Sequence, residues 1–243
     1  MRRRIDCTGS VSGRNSVSIL FCYTSPMKLV IVPGFLGYAD EPHHIDLMNR
    51  ARLAGIEAVN VESQELSSRN FEKYRLSSHI NTINRALDEF SNEEIALVGV
   101  SLGGVAATIA SSERKNIVRL ACVVSPYRFA TGDDMQSRLD EWKSRGVYSF
   151  ASSRYGEVDI PYEFVKDAQL FDARAVISGI KCPKMFLAGS LDERVPFDLT
   201  QGLFNRACDP KIYRLINGMR HDYKNQPVFT KLVNDYILEF IGG

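Results

Sequence analysis

The sequence predicts an α/β protein with a doubly wound, mostly parallel sheet. Short apolar runs at residues 29–32, 95–100 and 185–188 are typical of strands that are buried on both faces of a parallel sheet. Segments with helical spacing separate these runs, and alternation of strands and helices with short connections favours a doubly wound sheet. A chain of 243 residues is long enough to form one such domain. We therefore interpret residues 1–243 as a single α/β domain.

The predicted elements alternate along most of the chain. Their order follows from apolar runs for strands and from three-to-four-residue apolar spacing for helices. They are a strand at 29–32, a helix at 44–54, a strand at 56–61, a long amphipathic helix at 71–90, a strand at 95–100, a small-residue helix after it, and strands at 117–124, 185–188 and 212–216 before a final helix at 227–240.

Two segments depart from this alternation. Residues 127–172 mix charged and aromatic side chains without a clean period, which predicts a small cap insertion with a helix at 135–143 and short hairpins. Residues 1–26 are interpreted either as an N-terminal edge hairpin or as an extension that precedes a natural start at Met27.

Composition restricts the partners. The 30 basic and 29 acidic residues give a net charge of +1, so no strong field attracts nucleic acid or an acidic surface.

The five scattered cysteines lack a C-x-x-C pair, which favours reduced thiols in a cytoplasmic protein. The apolar run at 19–22 is too short to span a bilayer, and the basic start lacks the apolar stretch of a signal peptide. We expect a monomer or homodimer that binds a small-molecule substrate, with no nucleic-acid or membrane partner.

The strand at 95–100 ends in a G-x-S-x-G motif that spans residues 99–103. A strand, this motif and then a helix form the context of a nucleophile elbow, in which a sharp turn exposes the hydroxyl of Ser101. The amide of Leu102 then lies at a helix N-terminus, where it can stabilise an oxyanion. The alternative is a glycine-rich turn with no chemistry.

A nucleophilic serine needs a general base and an acid that orients it. Among four histidines, His221 follows the last predicted strand, at the edge of the sheet where ligands bind in open α/β folds. Asp192 follows the strand at 185–188, and Glu193 is a neighbouring alternative. The chain order of Ser101, Asp192 and His221 is nucleophile, acid and base. The alternative for each residue is an ordinary loop position exposed to solvent or forming a turn.

The other three histidines are weaker candidates. His43 and His44 precede a helix and could shape the rim of a pocket, although cap or surface roles are favoured. His79 lies within the predicted helix at 71–90 and is interpreted as a packing or solvated residue.

The loop after the first strand, residues 33–37, contains glycines that can turn a backbone amide inward. We predict that the amide of Phe35 is the second oxyanion donor beside that of Leu102, and that Gly34 lies against the substrate. A plain glycine turn is the alternative.

These motifs resemble the α/β-hydrolase superfamily over residues 29–240, and most closely its small serine esterases of the cinnamoyl/feruloyl esterase-like and prolyl-oligopeptidase-related types. The resemblance is carried by the segments at 33–35, 99–104, 189–196 and 218–221. Two positions depart from it. Pro33 stands where the family commonly has histidine, and the loop before His221 lacks the frequent Gly-x-Gly-His form.

The resemblance implies an α/β-hydrolase fold and a two-step transfer of an acyl group through Ser101, with no metal or organic cofactor. It also implies that the insertion at 127–172 shapes the acyl or alcohol pocket, so Tyr127 and Tyr155 are predicted substrate contacts. The expected substrates are carboxylic esters of small to medium acyl groups, with aromatic acyl groups as one option. Thioesters, acylglycerols and small peptides are alternative substrates, because the same machinery cleaves them. One alternative function is a binding or signalling module that keeps the triad but has little turnover. Another is a cofactor-free lyase or perhydrolase.

Overall fold

The computed structural model of the chain describes residues 27–131 and 133–242, and it gives only the backbone for residues 133–137. The predicted hairpin or extension at 1–26 lies outside the described residues. Within them, no helix has both the length and the apolar composition needed to cross a membrane.

The described residues form strands and helices in the predicted alternation. The strands are β1 (Met27–Val32), β2 (Glu57–Asn60), β3 (Glu94–Val100), β4 (Ile117–Val123), β5 (Val147–Ser152), β6 (Gly156–Pro161), β7 (Lys184–Gly189) and β8 (Lys211–Ile216). The α-helices are α1 (Pro42–Leu53), α2 (Gln64–Ser67), α3 (Leu76–Glu89), α4 (Leu102–Ser111), α5 (Asp133–Arg145), α6 (Glu163–Ala168), α7 (Phe197–Arg206) and α8 (Pro227–Gly242). Short 3-10 turns occur at Phe71–Lys73, Ala173–Ala175, Ile177–Gly179 and Tyr223–Asn225.

Six parallel strands form the central sheet in the order β2-β1-β3-β4-β7-β8. Side chains alternate between its two faces. In β1, Val30 joins the core that includes α3 and α4, whereas Ile31 joins the core that includes α1 and α8. The sheet is therefore covered on both faces, and the predicted doubly wound architecture is confirmed.

The insertion lies between β4 and β7 and contains α5, the antiparallel hairpin β5–β6 and α6. Trp142 of α5 is fully buried, and its indole Nε1 donates a hydrogen bond of 2.8 Å to the carbonyl oxygen of Ile160. Its ring lies parallel to that of Phe164, with a centroid distance of 6.3 Å. The insertion thus has an aromatic core that is continuous with the core of the sheet.

The predicted helix at 71–90 is wrong at its start. The chain forms the 3-10 turn Phe71–Lys73 and is then extended at Tyr74 and Arg75, so α3 begins only at Leu76. Tyr74 is fully buried and stacks on Phe164 at 4.9 Å. Burial of this ring requires a backbone direction that a continuous helix cannot supply. The other predicted strands and helices, including the helix at 135–143 that corresponds to α5, differ from the structure by no more than two residues at either end.

Gly103 provides the first stability prediction. A Cβ atom on this residue would lie 2.3 Å from the carbonyl oxygen of Val32 and 2.4 Å from that of Pro33. Because β1 and α4 must then separate, we expect Gly103→Ala to lower the free energy of unfolding by about 3 kcal/mol. Urea denaturation measures this loss. Gly179→Ala is the control, since a Cβ there meets no atom within 4 Å, and an equal loss in both variants would contradict the steric explanation.

Candidate active site

Ser101 lies at the sharp turn between β3 and α4. Its φ and ψ angles of 54° and −126° are unfavourable for a residue with a side chain, and such strain is common at functional sites. The turn is so tight that a Cβ on Gly99 would come within 2.4 Å of the Cα of Gly104. The Ser101 amide donates a 2.8 Å hydrogen bond to the carbonyl oxygen of Val123, which fixes the turn to β4.

The structure brings Ser101, His221 and Asp192 into one hydrogen-bonded chain. Ser101 Oγ lies 3.0 Å from Nε2 of His221. The other ring nitrogen, Nδ1, lies 2.9 Å from Oδ2 and 3.1 Å from Oδ1 of Asp192. These distances match those that a nucleophile, a general base and an orienting acid require.

The carboxylate of Asp192 is completely buried and has further partners. Its Oδ1 accepts hydrogen bonds from the backbone amides of Arg194 at 3.0 Å and Val195 at 2.8 Å. A buried charge is stable only when such partners replace water. The loop at 192–195 therefore fixes the carboxylate in the orientation that meets His221. Glu193, the alternative acid, is exposed.

The loops that carry Asp192 and His221 are bonded to each other. The amide of Leu191 donates to the carbonyl oxygen of Met219 at 3.0 Å, and the amide of Gly218 donates to Ser190 Oγ at 2.8 Å. A Cβ on Gly189 would lie 2.3 Å from the same Met219 oxygen. The absence of a side chain at residue 189 thus lets the two loops approach closely enough for the acid and the base to meet.

The loop after β1 lies directly beside the nucleophile. A Cβ on Gly34 would be 3.0 Å from the Cβ of Ser101. The amide of Gly37 closes a turn on the carbonyl oxygen of Gly34 at 3.0 Å, and Leu36 has a φ of 54° within that turn. In the part of the chain that the structure describes, no backbone carbonyl accepts a bond from the Phe35 amide, and the Leu102 amide lies in the unbonded first turn of α4. Phe35 follows Gly34, which lies against Ser101, and Leu102 follows Ser101 directly in the chain.

A cavity of about 420 Å³ opens above Ser101 and His221. The loop after β1 contributes to one wall, and α5 and the strand β5 contribute to another. Aromatic lining comes from Phe35, Phe129, Tyr148, Phe150 and Tyr223, and charged or imidazole lining comes from Glu41, His43, Arg138, Arg194, Asp222 and Lys224.

Of the predicted substrate contacts, Gly34 lines the cavity, but Tyr127 and Tyr155 do not. The ring of Tyr127 is covered by the Arg174 guanidinium, whose carbon lies 3.7 Å from the ring centroid. The Tyr155 hydroxyl donates a 2.7 Å hydrogen bond to Glu62. Their assignment from the sequence is corrected on this point, because both side chains are engaged with these tertiary partners and neither lines the cavity. Tyr148 and Phe150 of the same insertion take the lining positions.

The predicted surface or cap role of His43 and His44 is also wrong, because both side chains are buried. Their rings lie 3.9 Å apart, and His43 reaches the wall of the cavity. Burial lowers the pKa of His43 to about 2 and that of His44 to about 3, and the nearby Lys224 ammonium acts in the same direction. His79 is buried as a packing residue, with its Nε2 3.2 Å from the carbonyl oxygen of Val61.

Comparison with solved structures identifies the fold. Est1E from Butyrivibrio proteoclasticus is 18% identical, with a TM-score of 0.66, and the match covers 90% of this chain and 89% of that one. Alpha/beta hydrolase domain-containing protein 10 from mouse is 19% identical, with a TM-score of 0.71 and 89% of each chain covered. The alpha/beta hydrolase GrgF from Penicillium sp. sh18 is 15% identical, with a TM-score of 0.68, and 92% of this chain and 93% of that one are covered.

These likenesses show that the chain has the α/β-hydrolase fold. No protein-family model matches the sequence. No curated protein matches it either.

Proposed function

We propose that the protein is a serine hydrolase that cleaves carboxylic esters through an acyl-enzyme. The observation that carries this proposal is the continuous chain of contacts from Ser101 Oγ through the His221 ring to the buried Asp192 carboxylate. A serine hydroxyl gains nucleophilicity only when a base takes its proton as it attacks, and His221 Nε2 is within the distance at which such a transfer occurs.

The proposed reaction has two steps. In the first, Ser101 Oγ bonds to the ester carbonyl carbon while its proton passes to His221 Nε2, and that proton then leaves on the alcohol as the ester bond breaks. In the second, His221 takes a proton from a water molecule that attacks the acyl-enzyme, and it returns this proton to Ser101 as the acid is released. The amides of Phe35 and Leu102 stabilise the negative oxygen in both steps. Neither step requires a metal or an organic cofactor.

The cavity favours a small to medium acyl group. Its volume of about 420 Å³ is within the range of small-molecule sites. Phe129, Tyr148 and Phe150 offer ring surfaces against which an aromatic or aliphatic acyl group can pack. Est1E, which shares the fold, has been solved with bound ferulic acid, and this supports aromatic acyl esters as the first compounds to test.

We keep a cytoplasmic location as our expectation, since Cys122, Cys182 and Cys208 are unpaired.

Hydrolysis of a p-nitrophenyl ester series, together with methyl ferulate and a thioester, tests the proposal. We expect turnover that depends on acyl length and that is lost in Ser101→Ala. A fluorophosphonate probe should label the wild type at Ser101. Absence of both turnover and labelling would instead favour the alternative of a binding or signalling module.

The hydroxyl of Tyr155 provides a specificity prediction. Because this group reaches Glu62 and not the cavity, we expect Tyr155→Phe to leave the KM for the best ester within about twofold. The lost hydrogen bond should lower the free energy of unfolding by about 1 kcal/mol. Steady-state kinetics and urea denaturation measure the two effects. A large rise in KM with unchanged stability would restore Tyr155 as a substrate contact.

A further inference from the structure

Three potential metal ligands are buried together in the cavity wall, at the start of α1. Glu41, His43 and His44 are each at most 4% exposed. Each offers one ligand atom, and these atoms lie within 4.8 Å of one another. The ester hydrolysis proposed above uses none of them.

One of the two histidines also leaves a ring nitrogen unsatisfied. Nδ1 of His43 is buried without a hydrogen-bond partner among the described residues. A buried polar atom without a partner costs free energy, and such an atom in a native structure calls for an explanation such as an ion. The unpartnered His43 nitrogen therefore supports a ligand at this cluster.

We propose that Glu41, His43 and His44 bind one zinc-class divalent cation in the wall of the cavity. Two imidazoles and one carboxylate are a ligand set that Zn²⁺ commonly takes in proteins, with a fourth position left open. Glu41 and His43 line the cavity, so water or a small anion can reach that position.

The distances fit this assignment. Oε2 of Glu41 lies 3.8 Å from Nδ1 of His44, near the separation of about 3.4 Å expected for two ligands of a tetrahedral zinc ion. The side-chain amide of Asn60 donates to the same Nδ1 at 2.9 Å, so this nitrogen presents a lone pair. The cation takes the place of the Asn60 hydrogen, while the amide keeps its 2.8 Å bond to the carbonyl oxygen of Ala39.

One positive charge already lies at the carboxylate. The Lys224 ammonium is ion-paired with Glu41, and a metal ion must displace it. Lys224 is therefore a competitor for the site.

Zinc titration of chelator-treated protein, followed by calorimetry at mildly alkaline pH, tests the proposal. We expect one equivalent to bind to the wild type. His43→Gln and His44→Gln should each weaken binding by about a hundredfold, which is at least the loss seen when an outer partner of a metal site is removed. Lys224→Met should strengthen binding by about tenfold, because the competing cation is gone.

His221→Ala is the matched control, because the catalytic imidazole is the other reactive histidine near the cavity. Zinc binding that survives in His221→Ala and is lost in His43→Gln supports the proposed site. Binding lost only in His221→Ala, binding of equal strength in all variants, or no binding to the wild type would overturn it. If the His43 and His44 variants fail to fold, the expected gain in Lys224→Met still decides the question. No outcome depends on ester turnover, so this proposal and the proposed function can fail separately.

Discussion

Replacement of Ser101 by alanine is expected to lower ester turnover by about a million-fold, the loss that follows removal of a serine nucleophile from a triad. Without Oγ, His221 has no hydroxyl to deprotonate, and no acyl-enzyme can form. The proposed oxyanion donors are backbone amides that this substitution leaves in place, so a small residual rate from binding and electrostatic stabilisation should remain. The kcat for the best p-nitrophenyl ester measures this loss.

A double variant separates loss of the mechanism from loss of the fold. Because residues of a triad act as a unit, Ser101→Ala combined with His221→Ala should be about as slow as Ser101→Ala alone. Alanine can occupy the same backbone position, so we expect an unfolding midpoint close to that of the wild type. Wild-type turnover in Ser101→Ala would disprove the proposed mechanism.

The elements around the elbow could be predicted because their signals are local. The apolar run of β3 leads directly into the turn, and a Cβ on Gly99 would meet Gly103 and Gly104 of the same turn. Asp192 and His221 could be selected because each follows a predicted strand, and the carboxyl ends of parallel strands meet at one edge of a sheet. Chain order then supplied their roles.

Positions that depend on distant partners could not be predicted. The burial of His43 depends on α8, where Asn234 donates a 3.1 Å hydrogen bond to its carbonyl oxygen. The break before α3 depends on Phe164 of the insertion, almost ninety residues further along the chain. The aromatic ring of Tyr155 favours a substrate contact, but Glu62, two residues after β2, holds its hydroxyl through a hydrogen bond. The spacing of apolar residues along the sequence predicts local elements, but it does not show which distant side chains will be in contact.

Long-range contacts also link the insertion to the loop at residues 33–37, which carries the predicted oxyanion donor Phe35 and is called the oxyanion loop below. Glu62 accepts the Tyr155 hydroxyl with one carboxylate oxygen, and with the other it accepts the amide of Ala39 at 2.9 Å. Arg154 is ion-paired with Asp40 beside it. The tip of the hairpin β5–β6 is therefore attached to the segment that follows the oxyanion loop. These contacts thus fix the position of the insertion relative to the loop that carries the predicted oxyanion donor Phe35.

Asp192→Asn is expected to lower kcat by about ten-thousand-fold without loss of the fold. The asparagine oxygen can still accept from the amides of Arg194 and Val195, but its NH₂ group then faces Nδ1 of His221. Nδ1 must become an acceptor, so the proton moves to Nε2, and this nitrogen can no longer take the proton of Ser101. Steady-state kinetics with the best ester measures the loss, and Glu193→Gln is the control, because that side chain is exposed and should keep wild-type turnover. Equal losses in the two variants would show that loop charge, and not the tautomer of His221, determines the rate.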